Sequence, residues 1–130
     1  MQSIKVFLLE DDEIVVEGIL KAFKDVDGVK ISHRYTIEGA LQALSSENNI
    51  KQFDLIFLDA CIDNENYNTK EIVKLIVDSM YSGPVYTTSR EWENRLFMVH
   101  DGCTGECYKG KIIEAIMNSL NQKPQKESWT

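Results

Sequence analysis

The sequence alternates short apolar runs with segments of helical period, and this alternation restricts the fold more than any other feature. Three runs, at 4–9, 53–58 and 84–88, are rich in apolar or β-branched residues, which is typical of strands buried on both faces of a sheet. Weaker runs at 30–35 and 103–108 predict two further strands nearer the sheet edges.

A segment of helical period follows each predicted strand. Apolar residues recur at helical spacing near residues 14–23, 37–44, 72–80, 92–99 and 112–120. Asp12 and Thr36 are predicted N-caps of the first two helices. Asn68, with Glu71 three residues later, predicts a capping-box-like start for the third.

Strict alternation of strand and helix with short connections predicts a doubly wound α/β domain. Its sheet should be parallel, with right-handed crossovers and helices on both faces. A chain of 130 residues is long enough for one hydrophobic core. We therefore expect one domain over residues 1–122 and a polar tail over 123–130, where Pro124 prevents continuation of the last helix.

The charge and the cysteine content restrict the partners and the compartment. Fourteen basic and 21 acidic residues give a net charge of −7, so we expect no direct binding to DNA. The three cysteines show no disulfide-framework spacing and the N-terminus lacks signal-peptide features, so we expect a cytoplasmic protein. No apolar window reaches the roughly 18 residues of a membrane span.

Reactive polar residues follow four of the five predicted strands. Glu10 and Asp11 follow the first strand, Asp59 the third, Ser89 the fourth and Lys109 the fifth. Open parallel sheets bind ligands beyond the carboxyl ends of their strands, and small domains of this kind commonly have the order 2-1-3-4-5. In that order the first and third strands are neighbours, which predicts three carboxylates in one pocket.

Three carboxylates in one pocket favour a hard divalent cation. Close anions repel one another, and Mg²⁺ both offsets that repulsion and prefers carboxylate and phosphate oxygens. Lys109 would add an ammonium and Ser89 a hydroxyl for phosphoryl oxygens. With these neighbours Asp59 is equipped to accept a phosphoryl group covalently, although turn-forming acids are also common at strand ends.

Around these residues the sequence resembles the receiver domain of two-component response regulators, over nearly the whole chain. LLEDDEIVVEGI resembles the first strand and acidic turn of that family, with Glu10 and Asp11 at the metal-binding pair. FDLIFLDA places Asp59 at the phosphoacceptor. GPVYTTSR and DGCTGECYK place Ser89 and Lys109 at the switch hydroxyl and the lysine of the family.

The resemblance implies a CheY-like, flavodoxin-like (βα)5 fold and a phosphoacceptor rather than an enzyme, with at most Mg²⁺-dependent self-phosphorylation and autodephosphorylation. It implies phosphoryl transfer to Asp59 from a histidine kinase or a histidine phosphotransfer protein. The backbone carbonyl of Cys61 would complete the Mg²⁺ shell. The surface around the fourth helix, fifth strand and fifth helix would then change, and that face is implied as a dimer contact.

The sequence departs from the family pattern at several positions. Ile62 and Asp63 replace the usual Met-Pro, and Tyr67 replaces a glycine. Glu106 stands where the family has an aromatic residue three positions before the lysine, and Gly110 replaces the proline after it. These differences concern the loop after the phosphoacceptor and the coupling to the surface.

Three functions from different classes are consistent with these residues. The first is a phosphorylation-controlled switch, expected here without an attached output domain, that acts on an unknown downstream protein. The second is a pseudo-receiver, an interaction module that works without phosphorylation, which Glu106 and the missing Met-Pro favour. The third is a phosphatase of the haloacid dehalogenase type, but that chemistry needs an acid two residues after Asp59, where Cys61 stands.

The fourth predicted helix carries more large apolar residues than one helical face can bury. Trp92, Phe97 and Met98 cannot all face the core at one helical period. We expect one or two of them on the surface, as in a partner-docking face.

Overall fold

The computed structural model describes residues 3–122 of the chain. Its strands are β1 Ile4–Leu9, β2 Val29–Arg34, β3 Leu55–Leu58, β4 Val85–Thr87 and β5 Gly105–Glu106. Its helices are α1 Glu13–Ala22, α2 Ile37–Ala43, α3 Glu47–Lys51, α4 Lys70–Asp78, α5 Trp92–Asp101 and α6 Ile112–Gln122, with a 3₁₀ turn at Lys109–Lys111. The predicted tail lies outside these residues. Within 3–122, no helix is both long enough and apolar enough to cross a bilayer.

The strands form one parallel sheet in the order β2-β1-β3-β4-β5, which confirms the predicted fold class and strand order. Val6 pairs with Leu55 between β1 and β3, and Leu58 pairs with Thr87 between β3 and β4. Parallel strands end at the same edge of a sheet, so the residues that follow β1, β3 and β4 are brought side by side.

The central strands are buried on both faces, which explains their nearly continuous apolar sequence. Along β1, Phe7 and Leu9 pack into a layer with helices α2, α4 and α5. The alternate residues Val6 and Leu8 pack into the opposite layer with α1 and α6. The side-chain period of two in a strand divides one apolar run between two core layers.

The first two predicted N-caps are confirmed, and the third is wrong. Asp12 accepts from the Ile14 N–H at 2.9 Å, and Thr36 accepts from the Gly39 N–H at 3.0 Å. Helix α4 instead has Thr69 at its N-cap, without a side-chain capping bond. Asn68 lies before the helix, and its side-chain amide is hydrogen-bonded to both the N–H and the carbonyl of Ile62 in the loop after β3.

Three further features differ from the predictions. The fifth strand, predicted over 103–108, is reduced to Gly105–Glu106, because it lies at the sheet edge beside a β4 of only three residues. A short helix, α3, precedes β3 and has Ser46 as its N-cap, whose hydroxyl accepts from the Asn49 N–H at 3.1 Å. The third strand accordingly starts at Leu55 rather than at 53.

Candidate functional site

The carboxyl edge of the sheet brings together the three acids that follow β1 and β3. Glu10 and Asp11 come directly after β1, and Asp59 comes directly after β3. One carboxylate oxygen from each of the three lies within 4.8 Å of the others. Glu10 is completely buried and Asp59 is 5% exposed, so two of these carboxylates are largely removed from bulk water.

Lys109 contacts both buried carboxylates. It lies at the start of the 3₁₀ turn after β5, and its ammonium is 2.8 Å from Asp59 Oδ2. The same ammonium lies 2.9 Å from Glu10 Oε1 and 3.2 Å from Glu10 Oε2. Residues up to 99 positions apart in the chain therefore meet at one point of the sheet edge.

Burial and ion pairing shift the pKa values of Glu10 and Lys109. Desolvation raises the pKa of Glu10, and the charge of Asp59 adds to that effect while Lys109 opposes it. Burial alone would lower the pKa of Lys109, but its hydrogen bonds to Asp59 and Glu10 raise it overall. With all groups ionised, three carboxylates and one ammonium leave two net negative charges at this edge of the sheet.

The loop after β3 is hydrogen-bonded to Asp11, which follows β1. The Asp63 N–H donates to Asp11 Oδ2 at 2.7 Å, and Asp63 has a φ of 52°. The Ala60 N–H donates to Asp59 Oδ1 at 2.8 Å. Backbone donors thus orient one oxygen of Asp11 and one of Asp59, which holds these carboxylates in place beside each other.

The donor set fits a hard divalent cation such as Mg²⁺. Its close ligand atoms are carboxylate oxygens, which Mg²⁺ prefers, and the uncompensated negative charge would be offset by the ion. The Cys61 thiol adds no anionic ligand, because burial raises its pKa, with the charge of Asp59 contributing. Its Sγ donates to the Glu65 carbonyl at 3.7 Å and accepts from Asn94 Nδ2 at 3.4 Å. The role of the Cys61 carbonyl stays a prediction.

Ser89 lies two residues after the end of β4 and is 3% exposed. Its hydroxyl accepts from the Glu91 N–H at 3.3 Å, and its own N–H donates to Thr87 Oγ1 at 3.4 Å. The pairing of Leu58 with Thr87 places Ser89 beside the residues that follow β3. The hydrogen bond of its hydroxyl is local to its own loop.

Two buried polar residues near the site, Thr69 and Arg95, belong to no sequence motif and were not predicted. Thr69 Oγ1 donates to the carbonyl of Asp59 at 2.8 Å, which anchors the backbone of that acid. Arg95 lies on α5, three residues before the buried Met98, so a charged residue occupies an apolar position of the helical period. That mismatch is the sequence feature that points to Arg95.

No protein-family model matches this chain, and no curated protein matches its sequence.

Solved structures, by contrast, match it over nearly its full length. A two-component response regulator from Clostridium difficile is 18% identical, with a TM-score of 0.69, over 93% of this chain and 98% of that one. The non-phosphorylated HemR receiver domain from Leptospira biflexa is 21% identical, with a TM-score of 0.67, over 95% and 99%. The BeF3-activated DrrB receiver domain is 15% identical, with a TM-score of 0.66, over 92% and 99%. The chain therefore has the fold of the response regulator receiver domains, with a strongly divergent sequence.

Proposed function

We propose that this protein is a phosphorylation-dependent signalling switch that accepts a phosphoryl group on Asp59 with Mg²⁺. The observation that carries the proposal is the contact of Asp59 with Lys109, at 2.8 Å, inside a group of three carboxylates. An ammonium paired with the acceptor and a cluster of hard oxygen ligands are what phosphoryl transfer to a carboxylate needs. The receiver-domain fold supports the same role.

The chemistry assigns a separate task to each residue. A carboxylate oxygen of Asp59 bonds to phosphorus while the phosphorus–nitrogen bond of a phosphohistidine breaks. The histidine nitrogen keeps the electron pair of that bond. Lys109 stabilises charge on the transferred group, and the Ser89 hydroxyl donates to one of its oxygens. Glu10 and Asp11, with Asp59 and the Cys61 carbonyl, would hold Mg²⁺, which supplies further charge neutralisation.

The donor in this proposal is a histidine kinase or a histidine phosphotransfer protein, and the output is binding to a downstream protein in the cytoplasm. The acidic net charge of −7 argues against direct DNA binding. The fourth and fifth helices predicted from the sequence correspond to α5 and α6 of the structure. A dimer through α5, β5 and α6 is part of the proposal.

The test is mass spectrometry of the intact protein after treatment with acetyl phosphate and Mg²⁺. The wild type should gain one phosphoryl group and Asp59→Asn should gain none. Asp63→Asn is the matched control, because Asp63 is an exposed acid of the same loop that meets the site only through its backbone N–H. Labelling of Asp59→Asn to the wild-type extent would refute Asp59 as the acceptor.

One observation favours the second candidate, an interaction module without phosphorylation. Glu106 occupies the position of the usual aromatic residue, and its carboxylate is engaged by Arg95 at 3.1 Å. Beryllofluoride with Mg²⁺ separates the two functions, since it mimics a phosphoryl group on the acceptor carboxylate. If neither beryllofluoride nor acetyl phosphate modifies Asp59 in the wild type, the interaction module is the better description.

A further inference from the structure

Arg95 is the one arginine or lysine within residues 3–122 that is buried, at 9% exposure. A guanidinium keeps its charge at any accessible pH, so burying it is costly unless its donors are paired. The function proposed above gives Arg95 no part in the chemistry at Asp59. Its contacts show what it does instead.

The guanidinium of Arg95 joins three segments. Nη1 donates to the carbonyl of Ser89 at 2.8 Å and to the carbonyl of Arg90 at 2.9 Å. Nε donates to Glu106 Oε2 at 3.1 Å, and the group lies 5.1 Å from the ring centroid of Tyr108. Helix α5 is thereby tied to the loop after β4 and to the β5 segment.

The two ends of this set of contacts lie in different environments. Ser89, at one end, is buried and is the proposed hydroxyl donor to the phosphoryl group. Glu106 and Tyr108, at the other end, are exposed, with the Glu106 side chain at 51% and Tyr108 at 57%. Arg95 thus connects the backbone beside the site to groups that a partner protein can touch.

The same surface continues along α5. Trp92 and Phe97 are exposed at 63% and 53% and Met98 is buried, so two of these three side chains lie on the surface, as predicted. Leu96 adds a third exposed apolar side chain at 59%. Any displacement of Arg95 therefore acts on a helix that presents apolar residues to solvent.

We infer that Arg95, oriented by Glu106, is the positioning residue that couples phosphorylation of Asp59 to the surface of α5 and β5. The inference rests on the proposed function and assigns its regulation to a charged pair in place of an aromatic side chain. In this inference the loop after β4 moves when the Ser89 hydroxyl binds a phosphoryl oxygen, and the Ser89 carbonyl moves with the loop. The buried guanidinium cannot leave that carbonyl unpaired at low cost, so it moves with the loop. The Glu106 carboxylate and the Tyr108 ring then follow it.

The experiment uses the full chain with Trp129→Phe, which leaves Trp92 as the one tryptophan of the two in the sequence. Trp92 begins α5 and is exposed, so its fluorescence reports on that helix. Saturating beryllofluoride with Mg²⁺ should change this fluorescence. In Glu106→Gln the change should be largely lost, because Arg95 then lacks the charged partner that orients it.

Controls separate coupling from a structural role. Glu106→Gln should still take up one phosphoryl group from acetyl phosphate, and it should remain folded at the temperature of the measurement, because an amide oxygen can still accept a hydrogen bond from Arg95 Nε. Glu93→Gln removes an exposed acid from α5, the helix of Trp92, and should leave the Trp92 response intact. Arg95→Lys should weaken the response as Glu106→Gln does, and combining the two should add little, because they act in one chain of contacts.

Three results would overturn the inference. A full Trp92 response in Glu106→Gln places the coupling elsewhere. Additive losses in the double variant show that Glu106 acts without Arg95. Failure of the wild type to take up a phosphoryl group removes the proposed function together with the coupling, and the mass spectrum distinguishes that case from the other two.

Discussion

Lys109 carries the charge balance of the site, because its ammonium contacts two buried carboxylates at once. Removing one partner of a buried ionic group costs more than the net contribution of the group, since the remaining charges lose their compensation. Glu10 is the sensitive member, because desolvation already raises its pKa. The metal-free protein should therefore depend on Lys109 for stability as well as for chemistry.

Lys109→Met should lower the free energy of unfolding of the metal-free protein by about 3 kcal/mol at neutral pH. A carboxyl group with a raised pKa binds its proton more tightly in the folded state. The loss should therefore shrink as the pH falls toward 4.5, the ordinary value for Glu10. Urea denaturation with a chelator measures both effects, and addition of Mg²⁺ should restore part of the stability at neutral pH.

Lys111→Met is the matched control for this substitution. Lys111 is two residues away, its side chain is 66% exposed, and it pairs with the exposed Glu114 at 3.4 Å. A surface pair of this kind contributes about 0.5 kcal/mol or less. Equal effects of the two substitutions would show that the contacts of Lys109 with Glu10 and Asp59 do not stabilise the fold.

At the scale of the element, the loop between β3 and α4 is closed by one side chain. Asn68 Oδ1 accepts from the Ile62 N–H at 2.8 Å, and Asn68 Nδ2 donates to the Ile62 carbonyl at 2.7 Å. An amide offers both a donor and an acceptor, so it satisfies both backbone groups of a single residue. This closure holds the segment that follows Asp59 and competes with helix capping for Asn68.

Asn68→Ala should lower the free energy of unfolding by about 2 kcal/mol, because two backbone groups of Ile62 lose their partners. Glu71→Gln should change it by only a few tenths of a kcal/mol, the contribution of an exposed acid in the first helical turn. Urea denaturation of both variants distinguishes the observed loop closure from a capping box. A capping box would make the two residues interdependent, and a double-mutant cycle measures that.

Sequence-based prediction succeeded for features set by local bonds or continuous burial, and it failed for contacts that depend on the path of a loop. β1 and β3 could be located from sequence because both of their faces are buried, and Asp12 and Thr36 because a capping bond is local. Asn68 could not, because its partner Ile62 is set by the path of the loop. Helix α3 could not either, because its five residues include a single buried side chain, Ile50.

At the scale of the whole molecule, the sheet order converts distant sequence positions into one site. The order β2-β1-β3-β4-β5 follows from general rules for small parallel sheets, and it accounts for the meeting of Glu10, Asp11 and Asp59. The contacts of Arg95 do not follow from the order, because the partner of a buried charge depends on side-chain geometry. The strand ends of a parallel fold were thus predictable, and the polar pairs between its helices and loops were not.

The labelling rates of the three cysteines, compared with one another, measure how often the whole molecule unfolds. Cys103 is 5% exposed in the layer beneath α4 and α5, and burial raises its pKa to about 12, whereas Cys61 and Cys107 are partly exposed. At pH 8, a thiol reagent should label Cys61 and Cys107 in the folded protein and Cys103 only through unfolding, at a rate that rises with urea. Cys103→Ala should remove the slow phase.

The pH dependence of the folded state follows from the same burial. The folded state binds the Cys103 proton more tightly than the unfolded state, so this contribution to stability falls as the pH rises from the ordinary 9.0 toward about 12. Urea titrations of the wild type above pH 9 should therefore show a loss of stability that is smaller in Cys103→Ala. Three equal labelling rates in the native protein would contradict a closed layer beneath α4 and α5.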